Sequence, residues 1–357
     1  FADINEDGKI DLVGRKDNNM YFMINKDGKK FENPKTINLN AYKVLWNRFF
    51  LIRDLNGDGY PDIFTINKNG ELTVGINNKR NNFESPEVWD KDYNHGYNKQ
   101  DGGAVFLSDL NKNELPDLIA IGNRGVDVAL NSGSKFETKK YQTGSFSAGL
   151  GNKSSFDEAK HKRFFTDVNG DGLPDAVAFT DNGIIVNINN KIEFQGDTRY
   201  SEKEMSKGWD NSEPRYVIDL NKDGKADIIG FGSKNMQVMF NNNDIFTNLK
   251  SYNMFSGKQG WKEDKHFRQV VDLNKDGAPD IIGCNDKDVF VSLNDGKGGF
   301  GDEKTWVDGS DAFSAKNYNK DKHPRFVVDV NGDGYADLIG FHEKAVMVAL
   351  YEFLTGL

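Results

Sequence analysis

Hydrophobic positions in this chain come in short bursts. Runs of five to seven residues rich in Val, Ile and Phe are bounded by Asn, Asp, Gly or Lys, the punctuation of strands and turns. Arg325-FVVDV is one such run. An acidic loop follows it, then Asp337-LIGF and, after a short turn, Ala345-VMVAL. Elsewhere a fourth segment closes the unit, as in Phe300-GDEKTWV after the Gly-rich turn Asp295-GKGG. Several runs are continuously apolar, as expected of strands covered on both faces by neighbouring sheets. Apolar spacing at a helical period is not sustained over any useful window, so strands rather than helices are predicted.

One nine-residue phrase punctuates these strands. It reads Asp3-INEDGKI-Asp11, Asp54-LNGDGYP-Asp62, Asp109-LNKNELP-Asp117, Asp167-VNGDGLP-Asp175, Asp219-LNKDGKA-Asp227, Asp272-LNKDGAP-Asp280 and Asp329-VNGDGYA-Asp337. Successive starts lie 51, 55, 58, 52, 53 and 57 residues apart, so seven repeats of about 54 residues account for the chain. Four strands per repeat and seven repeats predict an all-β fold, a seven-bladed β-propeller of four-stranded antiparallel blades, as one domain over residues 1–357. An open solenoid of the same repeats is the competing architecture. Phe1 falls inside what would be the first strand of a blade, and the last repeat stops at Tyr351-EFLTGL. The expectation is a seam blade closed by both termini, or a chain processed at its ends with any signal peptide gone.

The phrase places side-chain oxygens at loop positions one, three, five and nine, with a backbone carbonyl at seven. That is the oxygen-only donor set of a calcium loop, resembling the first half of an EF-hand. The predicted ligands in the first loop are Asp3, Asn5, Asp7, the Lys9 carbonyl and Asp11. The second has Asp54, Asn56, Asp58, Tyr60 and Asp62, and the third Asp109, Asn111, Asn113, Leu115 and Asp117. Asp167, Asn169, Asp171, Leu173 and Asp175 form the fourth, and Asp219, Asn221, Asp223, Lys225 and Asp227 the fifth. Asp272, Asn274, Asp276, Ala278 and Asp280 form the sixth, and Asp329, Asn331, Asp333, Tyr335 and Asp337 the seventh. Position six is Gly except at Glu114, where a left-handed turn is expected, and position twelve is never Glu. The third loop, with Asn113 and Glu114, is expected to bind poorly. Simple Asp/Asn-Gly turns are the competing reading. The expected role of Ca²⁺ is structural, because the site recurs once per blade.

Charge sharpens this picture. The chain carries a net −9, yet 20 of its 55 acidic residues stand at the loops' predicted ligand positions, and the remaining 35 against 46 Lys and Arg leave +11. Seven bound Ca²⁺ would bring the total to +5. The acidic balance argues against a nucleic-acid backbone binder, and no apolar run is long enough for a membrane span. One cysteine, Cys284, excludes an internal disulfide framework and reads as a small buried hydrophobe. Dependence on calcium suits an extracellular location, and Asn152-Lys153-Ser154 is a lone N-glycosylation sequon.

The loop series, followed by strands such as Asp227-IIGFG and Asp337-LIGF, resembles the FG-GAP repeats of integrin α-subunit propellers. A second phrase adds to this. Arg163, Arg215, Arg268 and Arg325 each stand four residues before a loop's first Asp, and His161, His266 and His323 stand two before three of them. Glu213 takes that place in the other. Phe156, Trp209, Trp261 and Tyr318 lie six or seven residues before the Arg. This combination is similar to the integrin-like fungal lectins. It covers blades four to seven; blade two has Tyr42, Trp46 and Arg48 in shifted register, and blade three has Asp101-GGAV without an Arg.

The resemblance implies a multivalent, non-enzymatic lectin for N-acetylglucosamine-type sugars, bound in shallow pockets between blades, with glycans or glycoproteins as partners. Aromatic rings would cover a pyranose face while Arg and His donate to its oxygens. Alternatively the aromatics fill gaps between blades and the arginines pair with loop carboxylates. An integrin-like adhesion propeller remains open, as does a polysaccharide lyase with His95 or Tyr97 as base. No GxSxG, HExxH or P-loop supports the enzyme. His342 stands outside the repeated phrase and reads as a packing or surface residue.

Overall fold

The computed structural model describes residues 1–43, 50–67, 69–91, 104–122, 125–141, 162–180, 183–191, 194–201, 213–242, 245–307, 313, 323–343 and 345–351. Seven small antiparallel sheets follow one another along the chain, five of four strands and two of three among the described residues. The fold is a seven-bladed β-propeller. Blade five shows the common plan, running Arg215–Ile218, Asp227–Phe231, Met236–Asn242 and Ile245–Tyr252 as a meander. Its first pair is in the register Arg215↔Gly230 to Ile218↔Asp227, so the nine-residue phrase forms the connection between strands one and two. The same register recurs as Arg325↔Gly340 to Val328↔Asp337 in blade seven.

Blade one comprises Leu12–Lys16, Asn19–Met23 and Lys35–Asn38, with Ala2 bridging Asp11 where other blades have a first strand. Blade seven comprises Arg325–Val328, Asp337–His342 and Ala345–Ala349. Residues 352–357, on which the expected seam closure depends, lie outside the described residues.

The chain divides into two compact units, residues 1–161 with 187–197, and residues 162–186 with 198–357. In the first, Leu55, Phe64, Val74, Trp89, Leu118 and Phe136 pack blade two on blade three. In the second, Ile229, Phe231, Val238, Phe255, Trp261 and Ile281 join blade five to blade six. Every residue of the second strands Asp62–Ile66, Asp227–Phe231 and Asp280–Cys284 is buried. Apart from the leading Asp and Thr65 these runs are apolar, and they sit between sheets, which removes their side chains from water on both faces.

A hydrogen-bond stitch runs alongside this packing. The loop's last Asp is fully buried, and it receives the backbone N–H of loop position two on one oxygen. Asp280 Oδ2, for instance, accepts from Leu273 N at 3.0 Å. Its Oδ1 accepts from Asn294 N at 2.8 Å, at the end of strand three. The Asn294 amide then donates to Leu220 O in the preceding blade, at 2.8 Å, and to Pro279 O at 3.0 Å. Asn77 to Ile4, Asn131 to Leu55, Asn189 to Leu110 and Asn241 to Val168 repeat the stitch at 2.7–2.9 Å.

Candidate functional site

In each acidic loop the first Asp organises the turn. Asp219 accepts from Asp223 N at 3.3 Å and Gly224 N at 2.8 Å, and Asp272 from Asp276 N at 3.2 Å and Gly277 N at 2.8 Å. The fifth-position carboxylate accepts from the backbone at position seven, as in Asp223 from Lys225 N at 2.9 Å. Position six has positive φ throughout the series, from Gly8 at 83° to Gly334 at 88°, and Glu114 takes the same conformation at 66°. Position four is also left-handed, at Glu6, Gly57, Lys112, Gly170, Lys222, Lys275 and Gly332.

Burial pushes the ninth-position carboxyls up, to about 6 for Asp11, Asp62, Asp117 and Asp337, and to about 7 for Asp227 and Asp280. Desolvation is the dominant cause, and in all but Asp117 the loop's two other carboxylates add to it. A cation among them would relieve that penalty. Asn5 Oδ1 is buried with no hydrogen-bond partner, a further oxygen suited to a cation. The all-oxygen donors therefore fit Ca²⁺ chemically. Among the described residues no three His, Cys, Asp or Glu side chains are gathered as a metal cluster. The loop carboxylates hold backbone N–H groups, so an ion would draw on Asn and carbonyl oxygens as well. In the third loop the Asn113 amide donates to Asn131 O at 2.9 Å.

Of the aromatic–His–Arg phrase, Phe156, His161, Trp209 and Tyr318 lie outside the described residues, as do Trp46, Arg48, His95, Tyr97 and the sequon. Tyr42 is buried, with Gly75 against its hydroxyl end. The four arginines are buried too, Arg163 and Arg215 at 7% exposure, Arg268 at 4% and Arg325 at 5%. Arg268 Nη1 donates to Phe255 O at 2.9 Å, and Arg325 Nη1 to Phe313 O at 3.0 Å. The guanidinium of Arg215 lies 5.0 Å from the Phe179 ring, and that of Arg268 lies 5.7 Å from Phe231 and 5.9 Å from Trp261. Arg268 and Arg325 thus pin a carbonyl of the segment before their blade, and Arg215, Arg268 and Arg325 each pack on an aromatic of the preceding blade. Arg268 Nε and Nη2 remain buried without hydrogen-bond partners.

Blade six brings Trp261 and His266 together. They line a recess of about 220 Å³ with Gln259, Gly260, Asn285, Asp286 and Lys287. Trp261 is 6% exposed and is packed by Phe255 at 5.1 Å, His266 at 5.6 Å and Phe290 at 6.2 Å. It forms a wall of the recess rather than an open platform. Its position requires Gly283, where an added Cβ would fall 2.5 Å from Trp261 Cη2. His266 Nδ1 accepts from Lys262 N at 3.0 Å, which assigns the proton to Nε2. Burial lowers the His266 pKa, so the ring is neutral, with Nε2 3.4 Å from Asp286 Oδ1. Lys265, in contact with the same carboxylate, holds Asp286 below the usual range. Asn285, Asp286 and Lys287 were not predicted; they occupy the turn between strands two and three, five to seven residues after Asp280. In blade seven His342 stands at that turn and stacks on His323, centroids 4.8 Å apart and 11° from parallel.

Residues 167–230 and 272–340 match the FG-GAP-like repeat family. No curated protein sequence matches the chain. Among solved structures, a lectin of Agrocybe aegerita, described by its recognition of non-reducing terminal N-acetylglucosamine, is 29% identical. The match covers 96% of this chain and 87% of that one, with a TM-score of 0.81. A Photorhabdus luminescens Tc holotoxin pore is 14% identical over 95% of this chain and 16% of its own, at a TM-score of 0.56, a likeness of fold alone. A Bacillus licheniformis rhamnogalacturonan lyase is 12% identical over 90% of this chain and 63% of its own, at a TM-score of 0.37. That distance carries no argument about chemistry. The chain carries FG-GAP-like repeats on a seven-bladed propeller and resembles a fungal lectin built on that plan. No helix among the described residues is long and apolar enough to cross a membrane.

Proposed function

We propose that this protein is a carbohydrate-binding lectin, non-enzymatic, that recognises glycans ending in N-acetylglucosamine. The observation that carries the reading is the likeness, over 96% of the chain, to a propeller described as recognising that sugar. The blade-six recess supports it with a wall of Trp261, a neutral His266 N–H, the Asp286 carboxylate as acceptor and the Asn285 amide. These are the mixed apolar and polar groups a hexose needs. Arg268, whose Nε and Nη2 lack hydrogen-bond partners, stands against Trp261. Repetition of the aromatic–Arg phrase in four blades, with His in three of them and Glu213 in the other, favours a multivalent lectin, and avidity compensates for weak single sites. Calcium in the acidic loops stabilises the blades. At about 2 mM Ca²⁺, a site with Kd of about 10⁻⁴ M adds roughly 1.8 kcal/mol by linkage. The setting proposed is extracellular.

A glycan array with calcium present, followed by calorimetry on the best ligand, tests the reading. Binding of N-acetylglucosamine-terminated glycans is expected. Silence across the array, from protein shown to be folded, would remove the lectin assignment.

A further inference from the structure

Phe255, on the segment that leads from blade five to the Trp261 wall, has a left-handed backbone with φ of 47°. That conformation is rare for a bulky residue and persists only where the surroundings impose it. Both of its peptide groups are gripped by charged side chains. Its N–H donates to Glu303 Oε1 at 2.6 Å, and its carbonyl accepts from Arg268 Nη1 at 2.9 Å. The ring is fully buried between Trp261, 5.1 Å away, and Phe231, 6.3 Å away. Beyond it the segment turns tightly. Gly257 N donates to Gly232 O at 3.1 Å, the Ser256 hydroxyl to Lys234 O at 3.1 Å, and Trp261 N to Ser256 O at 3.2 Å. Phe255 is therefore the point from which the Trp261 turn is hung.

Glu303 lies just before the last strand of blade six, Lys304–Val307, and does not line the recess. It is half-buried, and burial raises its pKa. A carboxylate kept in that setting is explained by the N–H it accepts, because charge-assisted hydrogen bonds are the strong ones. We propose that Glu303 is a positioning residue of the blade-six recess: by holding the Phe255 N–H it fixes the backbone that places Trp261 against His266. This rests on the lectin reading for its functional consequence, though not for its structural one.

The experiment uses the full chain labelled with 5-fluorotryptophan, with the Trp261 ¹⁹F resonance assigned from Trp261→Phe. It is titrated with N-acetylglucosamine in parallel with Glu303→Ala, Glu303→Asp and Glu303→Gln. Glu303→Ala shifts or broadens the Trp261 resonance before sugar is added and weakens its titration by about tenfold, the loss of one hydrogen bond to a charged group. Glu303→Asp, one methylene short of the N–H, follows Ala and stands in for it if Ala does not fold. Glu303→Gln, whose amide oxygen still accepts, stays within about threefold of the parent. A Trp261 resonance and titration unchanged in both Ala and Asp variants overturn the proposal. So does a Gln variant as impaired as Ala, since no acceptor function is then being read. If the parent resonance ignores the sugar, the lectin reading of this recess fails, while the sugar-free spectra still decide the role of Glu303.

Discussion

Replacing Asn294 with Ala tests the stitch between neighbouring blades. Asn294 is 4% exposed, and its amide supplies Leu220 O at 2.8 Å and Pro279 O at 3.0 Å, while its Oδ1 takes Gly296 N at 3.1 Å. Alanine keeps the backbone bond to Asp280 and deletes the other three. Leu220 is fully buried and Pro279 is buried as well, so neither carbonyl can turn to water. A buried acceptor left unpaired costs about 1–3 kcal/mol, whereas Gly296, partly exposed, regains a partner from solvent. The expected loss is about 2–4 kcal/mol, a fall in Tm of about 3–5 °C by calorimetry for a chain of this size. Asn294→Asp is expected to lose more at neutral pH, because it turns a carboxylate toward two carbonyls. The control is Asn242→Ala, an exposed site in blade five expected to stay within about 0.5 kcal/mol. An Asn294→Ala shift no larger than the control's would refute the stitch.

Other outcomes follow from the same geometry. Chelating calcium with EGTA lowers Tm if the loops hold it, by several degrees over several sites; an unchanged melting curve would sink the structural role of the metal. Glu114→Gly removes the penalty of a left-handed glutamate at φ 66° and raises stability by about 0.5–1 kcal/mol in urea titration, whereas a loss would mean the Glu114 side chain matters more than its backbone. Gly283→Ala drives a methyl into Trp261 and costs about 1–3 kcal/mol, with a red-shifted tryptophan emission; a neutral outcome would contradict the close approach. Burial lowers the His266 pKa, so between about pH 6.5 and its folded value the unfolded chain binds the extra proton. Stability relative to His266→Gln therefore falls as pH drops from 7 to 5, and parallel pH profiles for the two proteins would contradict this.

The propeller was legible because its determinants are periodic. The nine-residue phrase marks every turn between strands one and two, and Gly at position six announces a backbone that side chains resist. The stitch was equally periodic and passed unread. Asn77, Asn131, Asn189, Asn241 and Asn294 lie fourteen or fifteen residues after the loop's last Asp, with Asn25 and Tyr351 at the equivalent places in blades one and seven. A polar residue ending a strand looks like the start of a turn, and nothing in one strand shows that its amide crosses to the preceding blade. The left-handed position four was hidden because only Gly57, Gly170 and Gly332 advertise it.

Periodicity located the arginines without disclosing their chemistry. Spacing says that Arg163, Arg215, Arg268 and Arg325 are equivalent; it does not say whether the guanidinium meets a ligand or a carbonyl. All four are only 4–7% exposed; Arg215, Arg268 and Arg325 meet rings, and Arg268 and Arg325 also hold the carbonyls of Phe255 and Phe313. What repeats is whatever serves the backbone. The recess is built otherwise, from a turn whose residues change between blades: Asn285 and Asp286 in blade six, His342 and Glu343 in blade seven. In blade six the neutral His266 faces Asp286, whereas in blade seven the face of His323 is taken by His342. Two blades with one backbone plan thus present different chemistry at equivalent places. The count of acidic loops or arginines therefore does not by itself say which blades share the chemistry of the blade-six recess; the turns between strands two and three decide that, blade by blade.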